Sequence, residues 1–169
     1  MGCPSEVYVM KSVWMLCCAL LLTACGQEEV AKAETGQPAP PILTLGPHDE
    51  VVSLPAQAER PLILNFWSAT CGMCIKELRE IQDLQAARPQ AVDVLAVNID
   101  GADGKTLQAL ATQRSLTLPL AADQMGVTAE RYRVSGTPTN YLIGRDGRIL
   151  EHKAGMLDAA DLQRWFSAR

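Results

Sequence analysis

The chain has 169 residues, 48% of them hydrophobic, and a formal net charge of −4. That length builds one domain with a sizeable core and falls short of two. With no basic block and only 5% aromatic residues, the chain is a poor partner for nucleic acid. It carries no internal repeat and no heptad run. The six cysteines sort by position: Cys3, Cys17, Cys18 and Cys25 fall near the N-terminus, and only Cys71 and Cys74 remain in the body. One pair two residues apart is not a disulfide scaffold, so it serves chemistry or a metal.

Residues 10–25 read MKSVWMLCCALLLTAC. Lys11 precedes an apolar run from Val13 to Leu22, and small residues follow, as in a secretory leader. The run of about 10 residues is too short for a spanning helix of about 20, which disfavours a transmembrane anchor. Leu22-Thr23-Ala24-Cys25 resembles a bacterial lipobox, in which the cysteine is lipidated and becomes the new N-terminus. More than one acyl chain gives a stable anchor. Residues 1–9 contain no element of such a leader, and Met10 is an alternative start. The expected division is a signal peptide over residues 1–24, a lipid-anchored tether over 25–41 and a domain over 42–169. The tether, ending GQPAPP, is small, polar and proline-terminated. Gly26 is not acidic, so by resemblance to the enterobacterial sorting rule it does not call for inner-membrane retention.

Ile42–Leu45 and Val51–Leu54 are short strand candidates across the turn-like cluster Gly46–Glu50, where His48 reads as a solvated loop residue. After Arg60-Pro61 comes Leu62–Trp67, an apolar run with the look of a buried strand. Ile75, Leu78 and Ile81 then mark one face of a helix reaching about Arg88 and stopped by Pro89. Cys71-Gly72-Met73-Cys74 sits at the junction. A Cys-x-x-Cys at a strand-to-helix turn reads as a redox site. The first helical turn leaves backbone N–H groups unpaired and carries partial positive charge, which lowers a thiol pKa from about 8.5. Cys71 is then the exposed nucleophile, and Cys74, one turn in, resolves the mixed disulfide.

Val92–Ile99 is the next buried strand, punctuated by Asp100-Gly101 and Asp103-Gly104. Thr106–Arg114, with apolar residues at 107, 110 and 111, suits an amphipathic helix. Leu118-Pro119-Leu120 is a short strand or extended segment, and Thr128–Tyr132 a helical turn or two. Asn140–Ile143 reads as a strand, and Asp146-Gly147 before Ile149-Leu150 is a strong hairpin signal. Ala154-Gly155 breaks the chain before a closing helix over Asp158–Phe166. Parallel strands joined by helices come first and an antiparallel hairpin last. This predicts an α/β fold with a mixed central sheet flanked by helices.

Together, the leader, LNFWSATCGMC, YRVSGTPTNYLIGRDGRI and the terminal helix resemble the TlpA/ResA-like family of extracytoplasmic thioredoxin-fold proteins, over roughly residues 38–168. The resemblance implies a thioredoxin-like fold with an N-terminal β-hairpin extension. It implies a membrane-anchored thiol–disulfide oxidoreductase that reduces apocytochrome c or other exported disulfides, with electrons from a membrane reductase of the DsbD/CcdA type. Cys71 matches the nucleophilic cysteine and Cys74 the resolving one. Thr137-Pro138 matches the cis-proline loop facing the disulfide, where a substrate strand pairs with the Thr137 backbone beside Cys71. Glu77 matches an acidic residue near the resolving cysteine; a partly buried carboxylate there exchanges a proton with Cys74. Asn65 stands where thioredoxins place a buried Asp, so it cannot be a base. Thr70 and Met73 replace the usual tryptophan and proline around the first and second cysteines. Losing the proline restores an N–H near the Cys71 sulfur. Met73 is expected to be exposed, as an apolar contact for substrate. Trp67 is expected to pack behind the site and report the redox state, Trp165 to anchor the last helix, and His152 to lie at the surface.

Three functions compete. The first is a reductant, useful outside the cytoplasm where the bulk machinery oxidises thiols. The second is an oxidant or isomerase, left open by Thr70 and Met73. The third is a non-enzymatic Cu(I) carrier with Met73 or His152 as third ligand. Only one cysteine pair remains in the body of the chain, which leaves a four-ligand zinc site unfilled. No cofactor or resident metal is expected, and a monomer is the default.

Overall fold

A computed structural model describes residues 32–168. The expected signal peptide, the alternative start at Met10 and the expected lipidation site Cys25 lie outside the described residues. Among those residues no helix is long and apolar enough to cross a membrane.

The strands are β1 (Thr44–Leu45), β2 (Val51–Val52), β3 (Leu62–Trp67), β4 (Asp93–Asn98), β5 (Leu120–Ala122), β6 (Thr139–Ile143) and β7 (Ile149–Ala154). The helices are α1 (Gly72–Ala87), α2 (Gly104–Arg114), α3 (Val127–Arg131) and α4 (Ala159–Trp165). The strands form one sheet in the order β2-β1-β5-β4-β3-β6-β7. β3 is central, parallel to β4 and antiparallel to β6. β4 and β5 are parallel, whereas β1–β5 and β6–β7 are antiparallel. The mixed sheet and thioredoxin-like architecture agree with the sequence expectation.

Period-two alternation divides the core between the two faces of the sheet. Ile63 and Trp67 of β3, with Val94, Ala96 and Leu142, pack against Cys74, Leu78 and Ile81 of α1, Leu107 of α2, and Leu162 and Trp165 of α4. Leu64 and Phe66 point the other way, toward Leu95, Val97, Tyr132, Tyr141 and Ile149. On that second face Phe66, Tyr132 and Tyr141 form an aromatic cluster with ring centroids 5.0–6.1 Å apart.

Two boundaries move for physical reasons. The strand expected at Leu118–Leu120 is observed at Leu120–Ala122. Pro119 has no N–H to give a ladder; its carbonyl accepts from Ala96 N–H at 2.9 Å, and strand pairing begins one residue later. The tether expected to run to residue 41 ends earlier. Ala33 is buried in the second core. Gly36 N–H donates to Ile149 O (2.8 Å), Ile149 N–H to Gln37 O (2.9 Å) and Ala39 N–H to Gly147 O (2.8 Å), so this segment borders the outer edge of β7. Tyr132 Oη–H donates to Pro40 O at 2.7 Å, and the Arg131 guanidinium to Pro41 O at 2.8 Å. A polar, proline-rich composition signals a tether, but backbone hydrogen bonds dock this one.

Candidate active site

β3 ends at Trp67, and Ser68-Ala69-Thr70 carries the chain to Cys71. This short loop is pinned by groups that sequence reasoning passed over. Asp100 accepts from the Ala69 N–H at 2.7 Å and from Asn98 Nδ2 at 2.9 Å. The Arg114 guanidinium donates to the Ala69 carbonyl at 3.2 Å. Burial pushes Asp100 up, but its hydrogen bonds from Ala69, Asn98 and Ser68 outweigh that and hold it below the ordinary carboxylate range. Both polar groups of the Ala69 peptide are therefore held, which fixes where Cys71 begins the helix.

Cys71 is the N-cap of α1 and is joined to Cys74 by a disulfide. Its Sγ accepts the Cys74 N–H at 3.1 Å, a hydrogen bond that stabilises a thiolate in the reduced state. Cys71 is half-buried, while Cys74 is fully enclosed at 0% exposure. Across from the pair, Thr137–Pro138 is a cis peptide bond. The Cys71 Sγ lies 3.6 Å from the Thr137 carbonyl oxygen. Met73 stands 58% exposed beside the pair. Trp67 is fully buried in the core that contains Cys74.

Glu77 follows Cys74 by three residues, so the two occupy one face of α1. The sequence suggested partial burial; the structure buries Glu77 completely. Its carboxylate accepts from Asn65 Nδ2 (2.8 Å), Asn140 Nδ2 (3.0 Å) and the Leu157 N–H (2.5 Å). Burial pushes its pKa up to about 7, with the three hydrogen bonds pulling the other way and Glu80 adding a small upward push. A carboxyl group poised there, one turn from the inner cysteine, can hold or release a proton at neutral pH. Asn65 is thus Glu77's partner. Asn140 and Leu157 were missed. The signal for both asparagines was a lone amide in an otherwise apolar strand, LILNFW and TNYLI.

His152 is exposed on β7 and stacks on Tyr141 with centroids 4.5 Å apart. Tyr141 belongs to the second face of the sheet, opposite α1, so His152 is separated from the cysteines and does not complete a copper site with them. Among the described residues no three His, Cys, Asp or Glu side chains gather as metal ligands.

A disulfide at the N-terminus of the first long helix, a cis-proline opposite it and a parallel-and-antiparallel sheet beneath define a thioredoxin-fold thiol–disulfide oxidoreductase with Cys71 and Cys74 as its redox pair. Comparison with known proteins agrees. The AhpC/TSA family model matches residues 35–152, and the chain belongs to that family. Sporulation thiol-disulfide oxidoreductase A of Bacillus subtilis is 30% identical over 140 residues, covering 80% of this chain and 84% of the relative. Thiol-disulfide oxidoreductase ResA of Geobacillus thermodenitrificans is 27% identical over 164 residues, covering 92% of each. Among solved structures, a Chlorobium tepidum protein assigned as the thiol:disulfide interchange protein DsbE superposes with a TM-score of 0.69 at 28% identity, covering 79% of this chain and 96% of that one.

Proposed function

We propose that the protein is a lipid-anchored, extracytoplasmic reductant of disulfides in exported proteins. Residues 1–24 are its signal peptide, Cys25 its lipidation site, and the residues up to Ala31 a short tether to the domain. Cys71 is the nucleophile, Cys74 the resolving thiol, and Glu77 the group that takes and returns the Cys74 proton. Thr137 and Pro138 receive the substrate strand, and Met73 gives it an apolar contact. Apocytochrome c and copper-site proteins are the substrate classes, and a membrane protein of the DsbD/CcdA type is the electron donor.

The chemistry proceeds in two exchanges. The Cys71 thiolate attacks a sulfur of the substrate disulfide, forming a mixed disulfide and expelling one substrate thiolate, which takes up a proton. Glu77 removes the Cys74 proton, and the new thiolate attacks Cys71 Sγ. The second substrate thiolate leaves and is protonated. Two electrons pass from the Cys71–Cys74 dithiol to the substrate, and the membrane donor restores them.

The observation that carries this reading is the asymmetry of the pair: a half-buried Cys71 Sγ facing the Thr137 carbonyl, and a fully buried Cys74 behind it beside a buried carboxylate. The test is covalent trapping in cells. Cys74→Ser should accumulate mixed disulfides through Cys71 with exported, cysteine-containing proteins, and the adducts should vanish when Cys71→Ser is added. Adducts that survive Cys71→Ser, or none with Cys74→Ser, would contradict the roles.

A further inference from the structure

The register of the sheet makes Asn65 of β3 and Asn140 of β6 direct cross-strand partners, both fully buried. Their amides point toward the same carboxylate. Asn140 Nδ2 donates to Glu77 Oε1 at 3.0 Å and to the Gly155 carbonyl at 3.2 Å, so both of its protons are committed. Its Oδ1 then accepts from Asn65 Nδ2 at 2.7 Å, whose other proton goes to Glu77 Oε2 at 2.8 Å. The Leu157 N–H is a third donor to Glu77. Gly155 is itself fixed to the cis-proline loop, since its N–H donates to the Pro138 carbonyl at 2.8 Å.

The direction of this chain of amides is set at one end. The Gly155 carbonyl can only accept, so it fixes which way Asn140 faces; Asn140 fixes Asn65. Turning Asn65 over would bring its Oδ1 against the Asn140 Oδ1, two acceptors in a dry core. The Asn65 Oδ1 accordingly points away and has no partner. Glu77 is left with donors on both oxygens and no acceptor for a proton. Donors favour the ionised carboxylate, while burial favours the neutral acid.

We propose that Asn65 and Asn140, oriented from the Gly155 carbonyl, are positioning residues that set the proton affinity of Glu77 by offering it hydrogen-bond donors only. The catalytic consequence rests on the role assigned above to Glu77. Both amides turn Nδ2 rather than Oδ1 toward the carboxylate, so neither asparagine accepts the proton that Glu77 holds. Few other groups compete. Glu80 on α1 is the charged neighbour that acts on Glu77; Cys71 and Cys74 share that helix. β3 and β6 present the two amides. From the loop before α4, Asp158 follows Leu157 and is paired with Lys153.

The test follows the Glu77 carboxyl by infrared difference spectroscopy across pH on the oxidised protein, its band assigned by loss in Glu77→Gln. Asn140→Leu removes a donor to the ionised form, and the band's midpoint should rise by about one pH unit. Asn65→Val acts on the other oxygen and should shift it the same way; it serves if Asn140→Leu does not fold. A midpoint unmoved in a folded variant overturns the proposal. The role of Glu77 is read separately, from the pH profile of thiol exchange. If the band moves but Glu77→Gln leaves that profile unchanged, the proton-affinity proposal stands and the catalytic role of Glu77 falls.

Discussion

At the scale of single residues, the pair Cys71 and Cys74 differ in access and in what surrounds their sulfurs. Cys71 is half-buried at a helix N-terminus and receives an N–H; Cys74 has no exposure. In the reduced protein, iodoacetamide should therefore modify Cys71 well before Cys74. A pKa difference of one unit alone gives about tenfold in thiolate fraction. Peptide mapping after a short exposure checks this, and equal modification of both would contradict it. Glu77 makes a second, pH-dependent statement. Its folded pKa, about 7, lies above its ordinary 4.5. A raised carboxyl pKa means the folded state binds the proton more tightly. The associated stability is complete below pH 4.5, declines as pH rises, and is lost above pH 7. The change is on the order of 3 kcal/mol across that window. Urea unfolding of the oxidised protein at pH 5 and pH 8 should show wild type losing more stability with rising pH than Glu77→Gln; parallel behaviour would contradict it.

Among the elements, those with strong local chemistry were readable from sequence. The apolar run Leu62–Trp67, the Pro89 stop and the Asp146-Gly147 hairpin each appear where residue chemistry places them, and Gly147 adopts the positive φ of 76° that the turn requires. The last helix begins at Asp158, which with Asp161 forms a reciprocal capping box. Losing that cap in Asp158→Ala should lower stability by about 1 kcal/mol, measured by urea unfolding; no loss would mean that the box is energetically idle. The segment at residues 33–41 was not readable, because its attachment runs through backbone groups and the Tyr132 hydroxyl rather than an apolar pattern. A chain beginning at Ile42 should melt about 5 °C or more below one beginning at Lys32, since one buried hydroxyl left unpaired costs about 1–3 kcal/mol. Equal melting temperatures would show that the segment adds nothing. The candidate site divides the same way. Cys-x-x-Cys is visible in the sequence, whereas the meeting of Asn65, Asn140 and the Leu157 N–H at Glu77 depends on strand register and a loop, which no local spacing encodes.

For the molecule as a whole, the sheet separates two jobs. One face buries an aromatic cluster and receives the N-terminal segment; the other carries α1, α4 and the redox pair. The site thus rests on the central strand β3 and the loop after it, held at Ala69 by Asp100 and Arg114, and Glu77 is enclosed by β3, β6 and the loop before α4. Such a scaffold supports exchange in either direction; the direction is set by potential. Reducing the disulfide creates two sulfurs that can bind protons, so pH and potential are coupled. The most direct measurement is therefore the reduction potential of the Cys71–Cys74 couple at pH 7, followed by Trp67 fluorescence in glutathione or dithiothreitol buffers. A reductant fed by a membrane donor requires a value near or below about −220 mV, toward the thioredoxin end of the known range. A value near about −120 mV, the strongly oxidising end, would contradict it and make the protein a disulfide oxidant.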